Sequence, residues 1–250
     1  MRQTDDGRVA TDIAHFTLKG PNRETNQDSM LAGRRIGDTL LVAVADGVGG
    51  QPGGDVASKS AVGVLGIGTP FVDSRGNPDF QAMFITACNA IARQASLMPE
   101  NATMATTLSV CVIDGTRARV GHAGDSRIYH LAGGELRRVT RDQTVAQELA
   151  DAAVITQAMV ERDFRSNILN SVLSARGDFE LFETTFDVAP GDRVLLATDG
   201  VTKVLCEDTI RDLVRDAPSI ADLARALESA IRTNGLADDA TAVCVGITAA

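Results

Sequence analysis

Hydrophobic and polar positions along this chain change rhythm several times, and each change marks an element. Residues 40–45, Leu-Leu-Val-Ala-Val-Ala, are apolar without a break, which predicts a strand buried on both faces. The run stops at Asp46-Gly47. Residues 54–65 and 79–97 carry apolar positions at helical spacing, parted by a turn-rich stretch with Asn77-Pro78. Strands are predicted at 106–113, 117–123 and 126–131, after which Ala132-Gly133-Gly134 turns the chain back into 135–139. From 142 to 178 the pattern is mixed, with a helix near 144–151. Strands return at 181–188 and, past a Pro190-Gly191-Asp192 turn, at 193–198. The clearest helix is 219–232. Ser219 can cap it, Ile220, Leu223, Ala224, Leu227 and Ile231 share a face, and Asn234-Gly235 ends it. An apolar strand at 240–248 closes the chain. Many strands with two helix pairs predict sheets packed on one another with helices outside, in a single domain over residues 1–250.

Composition narrows the function classes. Hydrophobic residues make up 44% and charged residues 23%, which is ordinary for a globular chain and argues against disorder. With no Trp and one Tyr, the core must be built from Val, Leu, Ile and Ala. A net charge of −9 argues against nucleic-acid binding, which needs a positive face. Part of that charge is what a metal site looks like when counted without its ions. Cys88, Cys111, Cys206 and Cys244 are far apart and form no Cys-x-x-Cys pair, and the only histidines are His15, His122 and His130. Zinc is therefore disfavoured, and the cysteines read as buried free thiols in a reducing compartment. No apolar run approaches the ~18 residues of a membrane span, and the polar Met1–Gly7 stretch carries no signal segment. The expectation is a soluble, cytoplasmic monomer with no membrane or nucleic-acid partner.

Aspartates cluster where the predicted strands end. Asp46-Gly47 and Asp199-Gly200 each follow an apolar strand, Asp238-Asp239 precedes the last one, and Asp125 lies in Gly124-Asp125-Ser126-Arg127 between two others. A carboxylate at a strand end is held rigidly yet can face a cleft, and a following glycine lets a ligand approach the backbone carbonyl. Several carboxylates together repel one another unless a cation neutralises them, and an oxygen-only set selects Mg²⁺, Mn²⁺ or Ca²⁺. Against this stands the commonness of Asp-Gly as a plain turn pair.

In chain order, the motifs resemble those of the metal-dependent type 2C protein serine/threonine phosphatases. They are Gly20-Pro21-Asn22-Arg23-Glu24-Thr25-Asn26-Gln27-Asp28-Ser29, then Ala45-Asp46-Gly47-Val48-Gly49-Gly50 with Gly53-Gly54-Asp55-Val56-Ala57-Ser58, then Ala105-Thr106-Thr107-Leu108. Gly124-Asp125-Ser126-Arg127, Thr198-Asp199-Gly200-Val201-Thr202 and Asp238-Asp239-Ala240-Thr241 complete the set. The resemblance spans residues 12–248 and is nearest to small bacterial signalling members. It implies an α+β fold, a four-layer α-β-β-α sandwich of two mostly antiparallel sheets flanked by helix pairs, with a mobile flap at 142–178. It implies two Mn²⁺ or Mg²⁺ ions, with Asp46 bridging them, Asp199 and Asp238 completing the first ion's shell and the Gly47 carbonyl joining the second's. Asp125, with Asp199, would hold a third ion. Asp28 would act through water, and Arg23 would bind the substrate phosphate through its planar fork.

The implied reaction is hydrolysis of phosphoserine or phosphothreonine by in-line attack of a metal-bound hydroxide, with no phosphoenzyme. The implied substrates are phosphoproteins, a Ser/Thr kinase and its targets among them. Three positions depart from the family pattern. Gln27 stands where Glu is usual, Asp239 where Asn usually follows the last metal-binding Asp, and Val48 where eukaryotic members often carry a His. Gln27 and Asp239 would lie just behind the metal ligands. The alternative is a non-catalytic relative that binds a phosphoprotein partner. A nucleotide-binding loop is disfavoured because no Gly-Lys-Ser/Thr follows Gly47–Gly54, and a calcium module because its loop pattern is absent.

Overall fold

The computed structural model describes residues 9–48, 53–66 and 71–250. The polar N-terminal stretch and Gly49-Gly50 of the second motif lie outside them. Strands β1 (Val9–Leu18), β2 (Asp28–Ile36) and β3 (Thr39–Asp46) come first, followed by helices α1 (Gly54–Gly66) and α2 (Phe80–Leu97). Next are β4 (Ala105–Thr106), β5 (Leu108–Asp114), β6 (Arg117–Ala123), β7 (Arg127–Ala132) and β8 (Glu135–Arg138). Helix α3 (Val145–Asp151) and two 3₁₀ turns lead to β9 (Leu173–Ser174), β10 (Phe182–Asp187) and β11 (Arg193–Ala197). The chain ends with α4 (Asp199–Thr202), α5 (Glu207–Asp216), α6 (Ile220–Asn234) and β12 (Ala240–Ala249).

Two five-stranded sheets form, in the orders β1-β12-β11-β7-β8 and β10-β6-β5-β3-β2, and their neighbours pair antiparallel. The continuous apolar run in β3 now has its reason. Leu40, Val42 and Val44 face Val194, Leu196, Val243 and Val245 of the other sheet, while Leu41, Ala43 and Ala45 face α1 and α2. On the outer side of the other sheet, Leu195, Ala197, Ala242 and Cys244 pack on α5 and α6 through Ile210, Val214, Leu223, Leu227 and Ile231. Period-2 strands between two apolar layers leave no room for polar residues on either face. The four-layer sandwich expected from the family resemblance is therefore what these residues build. Ser219 caps α6 by accepting the Asp222 amide at 3.1 Å, and Gly235 ends it at φ 99°.

Several elements escape the hydropathy pattern. Strand β1 mixes Thr, Asp and His into its length and packs against α6, so its alternation is blurred. Strand β2 carries a register shift between Leu31 and Arg34, which breaks the period. Helix α5 buries Ile210 and Val214 among eight mostly charged neighbours. Cys88, Cys111 and Cys244 are buried free thiols, but Cys206 is exposed, a correction to the expectation. It sits at the N-cap of α5, outside either apolar layer. Among the described residues no helix is long and apolar enough to cross a membrane.

Candidate metal centre

Antiparallel pairing gathers the strand-end aspartates at one end of the sandwich. Asp46 is the last residue of β3 and pairs in register with Asp28, the first of β2. Asp199 opens α4 two residues past β11, and Asp238-Asp239 stands just before β12, the partner of β11. Thr198 locks these ends together. Its amide donates to the Thr241 carbonyl at 3.0 Å, and its hydroxyl donates to Asp28 Oδ2 at 2.8 Å while accepting the Thr241 amide at 2.9 Å.

The backbone around Asp46 is equally determined. Its carbonyl accepts Thr106 Oγ1 at 2.9 Å and the Thr107 amide at 2.8 Å, and its own amide donates to Thr107 Oγ1 at 2.9 Å. Thr107 Oγ1 also lies 3.0 Å from Ser126 Oγ, next to Asp125. Gly124, at φ 117°, packs against the Thr107 side chain where any Cβ would collide. The Thr106-Thr107 pair thus sets the spacing between Asp46 and Asp125, a role that the motif alone does not disclose. Gly47 donates its amide to the Gln27 carbonyl at 3.0 Å, and a Cβ there would run into the Gly54 carbonyl.

Electrostatics make this end of the fold costly by itself. Burial, and then the charges of Asp199 and Asp28, push the Asp46 carboxyl well above the usual range. Asp28 and Asp125 rise to about 8, first through burial. Among the described residues, the buried Asp28 Oδ1 has no hydrogen-bond partner. Arg23 and Lys203 answer part of this charge. Arg23 forks onto Asp238, Nε to Oδ1 and Nη2 to Oδ2, both at 2.7 Å, and its Nη1 donates to Gln27 Oε1 at 3.2 Å. Burial works against the charged Asp238, but Arg23, the Asp239 amide and Lys203 together outweigh it and hold the carboxyl below its ordinary value. Lys203 Nζ donates to Asp199 Oδ2 at 2.6 Å.

The sequence reading places Arg23 on substrate and says nothing of Asp238 as its partner, nor of Lys203. Asp239 is also engaged in a way it does not foresee. Its Oδ1 accepts the Gly20 amide at 2.8 Å and its Oδ2 the Gln27 amide at 2.7 Å, so it pins the loop that carries Arg23. A carboxylate can take both donors at once, whereas an Asn amide has only one accepting atom. Arg127 makes a buried fork onto Asp142, with contacts of 3.1 and 2.8 Å, tying the Asp125 turn to the start of segment 142–178.

Among the described residues, no three carboxylate, imidazole or thiol side chains converge as a finished metal cage. Arg23 holds Asp238 and Lys203 holds Asp199 by direct contact. The donor chemistry nonetheless fits hard divalent ions. It offers oxygen alone, crowded carboxylates held near neutrality, an orphaned buried Asp28 oxygen, and a glycine at 47 whose backbone admits nothing larger. Asp46, Asp125, Asp199, Asp238, Arg23 and Lys203 all line one cleft of about 270 Å³, which Asn167 and Leu169 border. A hollow of about 420 Å³ adjoins it and shares Asp125, Asp199 and Lys203. A larger one of about 470 Å³, lined by Arg141, Glu148, Asp151 and Glu180, contains none of these aspartates.

Residues 21–239 match the protein phosphatase 2C family. The serine/threonine protein phosphatase PstP of Mycobacterium tuberculosis is 32% identical over 234 residues, which is 92% of this chain and 43% of PstP. The chain thus spans less than half the length of that relative. The protein phosphatase PhpP of Streptococcus pneumoniae is 29% identical over 94% of this chain and 97% of its own. A crystal structure of the PstP catalytic domain in complex with two manganese ions superimposes with a TM-score of 0.81 at 30% identity. It covers 96% of this chain and 99% of that one.

Proposed function

Because this chain belongs to the protein phosphatase 2C family, we propose that it is a metal-dependent phosphatase of phosphoserine and phosphothreonine in proteins. The observation that carries the reading is the crowd of buried carboxylates at the end of the sandwich, held together by Thr198 and by Thr106-Thr107 at a cost that only cations offset. Two divalent ions would be held by Asp46, Asp199, Asp238 and the Gly47 carbonyl. Bound there, they supply an activated water and Lewis-acid charge for phosphoryl transfer. The 2C-type PstP catalytic domain with two manganese ions supports Mn²⁺, and the donor set suits Mg²⁺ as well. The Asp125–Asp199 corner is where a third ion would sit, and Lys203 already lies against it.

The protein's own groups do the rest. Arg23 is held at the cleft by the loop that Asp239 pins, and its fork matches two phosphate oxygens as well as it matches Asp238. Asp28 sits behind Asp46 with one oxygen free to hold and orient water. Val48 offers no proton at the cleft, so the departing alkoxide takes its proton from solvent. Segment 142–178 is the flap of a single domain, and its Asn167 and Leu169 face the incoming phosphoprotein. The substrates include a Ser/Thr kinase and its targets, in the cytoplasm. Retention of every aspartate in the motifs favours catalysis over a non-catalytic regulator.

Phosphate release from phosphothreonine and phosphotyrosine peptides, with Mn²⁺ and with chelator, tests this reading. Mn²⁺-dependent release preferring phosphothreonine is expected, and chelator-resistant release would refute it. In the same assay Arg23→Ala is expected to raise KM about tenfold or more. Calorimetric Mn²⁺ titration of that variant should show affinity undiminished, since Asp238 loses a competitor and not a support. A large loss of Mn²⁺ binding would make Arg23 a structural prop.

A further inference from the structure

Lys203 has no part in the roles above, yet it is built into the centre. It follows Asp199 by one helical turn, and its amide donates to the Asp199 carbonyl at 2.8 Å. The two side chains therefore lie on one face. Its ammonium donates to Asp199 Oδ2 at 2.6 Å while the side chain stays about half exposed. On an outer helix face such a pair would be nearly neutral for stability and function. This one points into the carboxylate cleft, where its charge also acts on Asp125 and Asp46. It walls the adjoining hollow beside Asp125 and Asp199 as well.

A third divalent ion at that corner would need oxygens from both Asp125 and Asp199. The ammonium occupies one Asp199 oxygen, and the other would be needed by the two-ion core. A fixed positive charge in contact with the same carboxylate also repels a further divalent ion, and a partly desolvated cleft screens that repulsion weakly. Arg23 creates no such conflict, because a phosphate group can draw it away from Asp238.

We propose that the Lys203 ammonium takes the place of the third divalent ion at the Asp125–Asp199 corner, so that this chain works with two ions. The inference rests on the two-ion reading above, and counting ions separates the failure of one from the failure of the other. Equilibrium dialysis of the full chain against Mn²⁺, followed by metal analysis, should give two ions per chain for the unmodified protein. Lys203→Met should bind three, the third at least about tenfold more tightly than any further ion on the unmodified protein. Adding Asp125→Asn should return the count to two. Lys203→Arg keeps the charge and should stay at two, which guards against a general disturbance of the cleft. Three ions on the unmodified protein or on Lys203→Arg would overturn the proposal, as would two on a folded Lys203→Met. Fewer than two on the unmodified protein would refute the two-ion reading itself.

Discussion

Asp46→Ala is expected to lower turnover by several orders of magnitude without unfolding the protein. Asp46 ends a strand whose other residues are buried, so the scaffold does not depend on its carboxylate. The interactions that hold its position run through its backbone to Thr106 and Thr107 and survive truncation to Ala. On the two-ion reading, what the variant would lose is the carboxylate that both ions would share. It also sheds a carboxyl that burial and Asp199 make costly, so its ion-free melting temperature should match or exceed that of the unmodified chain. Turnover on a phosphothreonine peptide at saturating Mn²⁺, with calorimetric melting of both proteins, decides the matter. Retention of more than a tenth of the activity corresponds to under ~1.4 kcal/mol of barrier and would remove Asp46 from the metal centre.

The second large effect is a pH-dependent stabilisation by metal. Asp28 and Asp125 have folded-state values of about 8 against an ordinary 3.8. Between these limits the unfolded chain releases protons that the folded chain keeps, so ion-free stability falls as pH rises. His122 opposes this over part of the range. Its burial lowers it from 6.5 to about 4, which adds stability as pH rises through that interval. Asp238 is depressed below 3.8 and acts only in acid. The decline is therefore clearest between pH 6.5 and 8, on the order of a few kcal/mol. Divalent ions that bind the folded form alone reverse it. Chelated protein should melt roughly 5–10 °C lower at pH 8 than at pH 6.5, and excess Mn²⁺ should raise the melting point more at pH 8. Chelated protein that melts higher at pH 8, or a Mn²⁺ shift equal at both values, would show that these carboxylates are not the strained groups.

How much of this was legible in the chain follows from the range of the forces involved. The β3 run, the α6 face with its Ser219 cap and Gly235 stop, and the glycine turn after β7 depend on neighbours a few residues apart, and each falls where periodicity places it. Strands β1 and β2 and helix α5 do not, because their sequences are polar enough to read as loop and are ordered by sheets that assemble around them. The aspartates were readable as candidates because they stand at strand ends. Their convergence on one cleft needed the antiparallel registers that bring Asp28 beside Asp46 and Thr198 beside Thr241.

The sequence by itself determined which residues could form the centre: the motif order, the oxygen-only donors, and the glycines where backbone must come close. Those properties belong to residue types and their immediate neighbours. Only the tertiary structure decided the pairings. Arg23 reaches Asp238 across 215 positions, Asp239 holds Gly20 and Gln27 across more than 200, and Lys203 sets its charge on Asp199 at the edge of the cleft. Charge–charge contacts depend on distance in space, and the path of the folded chain sets that distance.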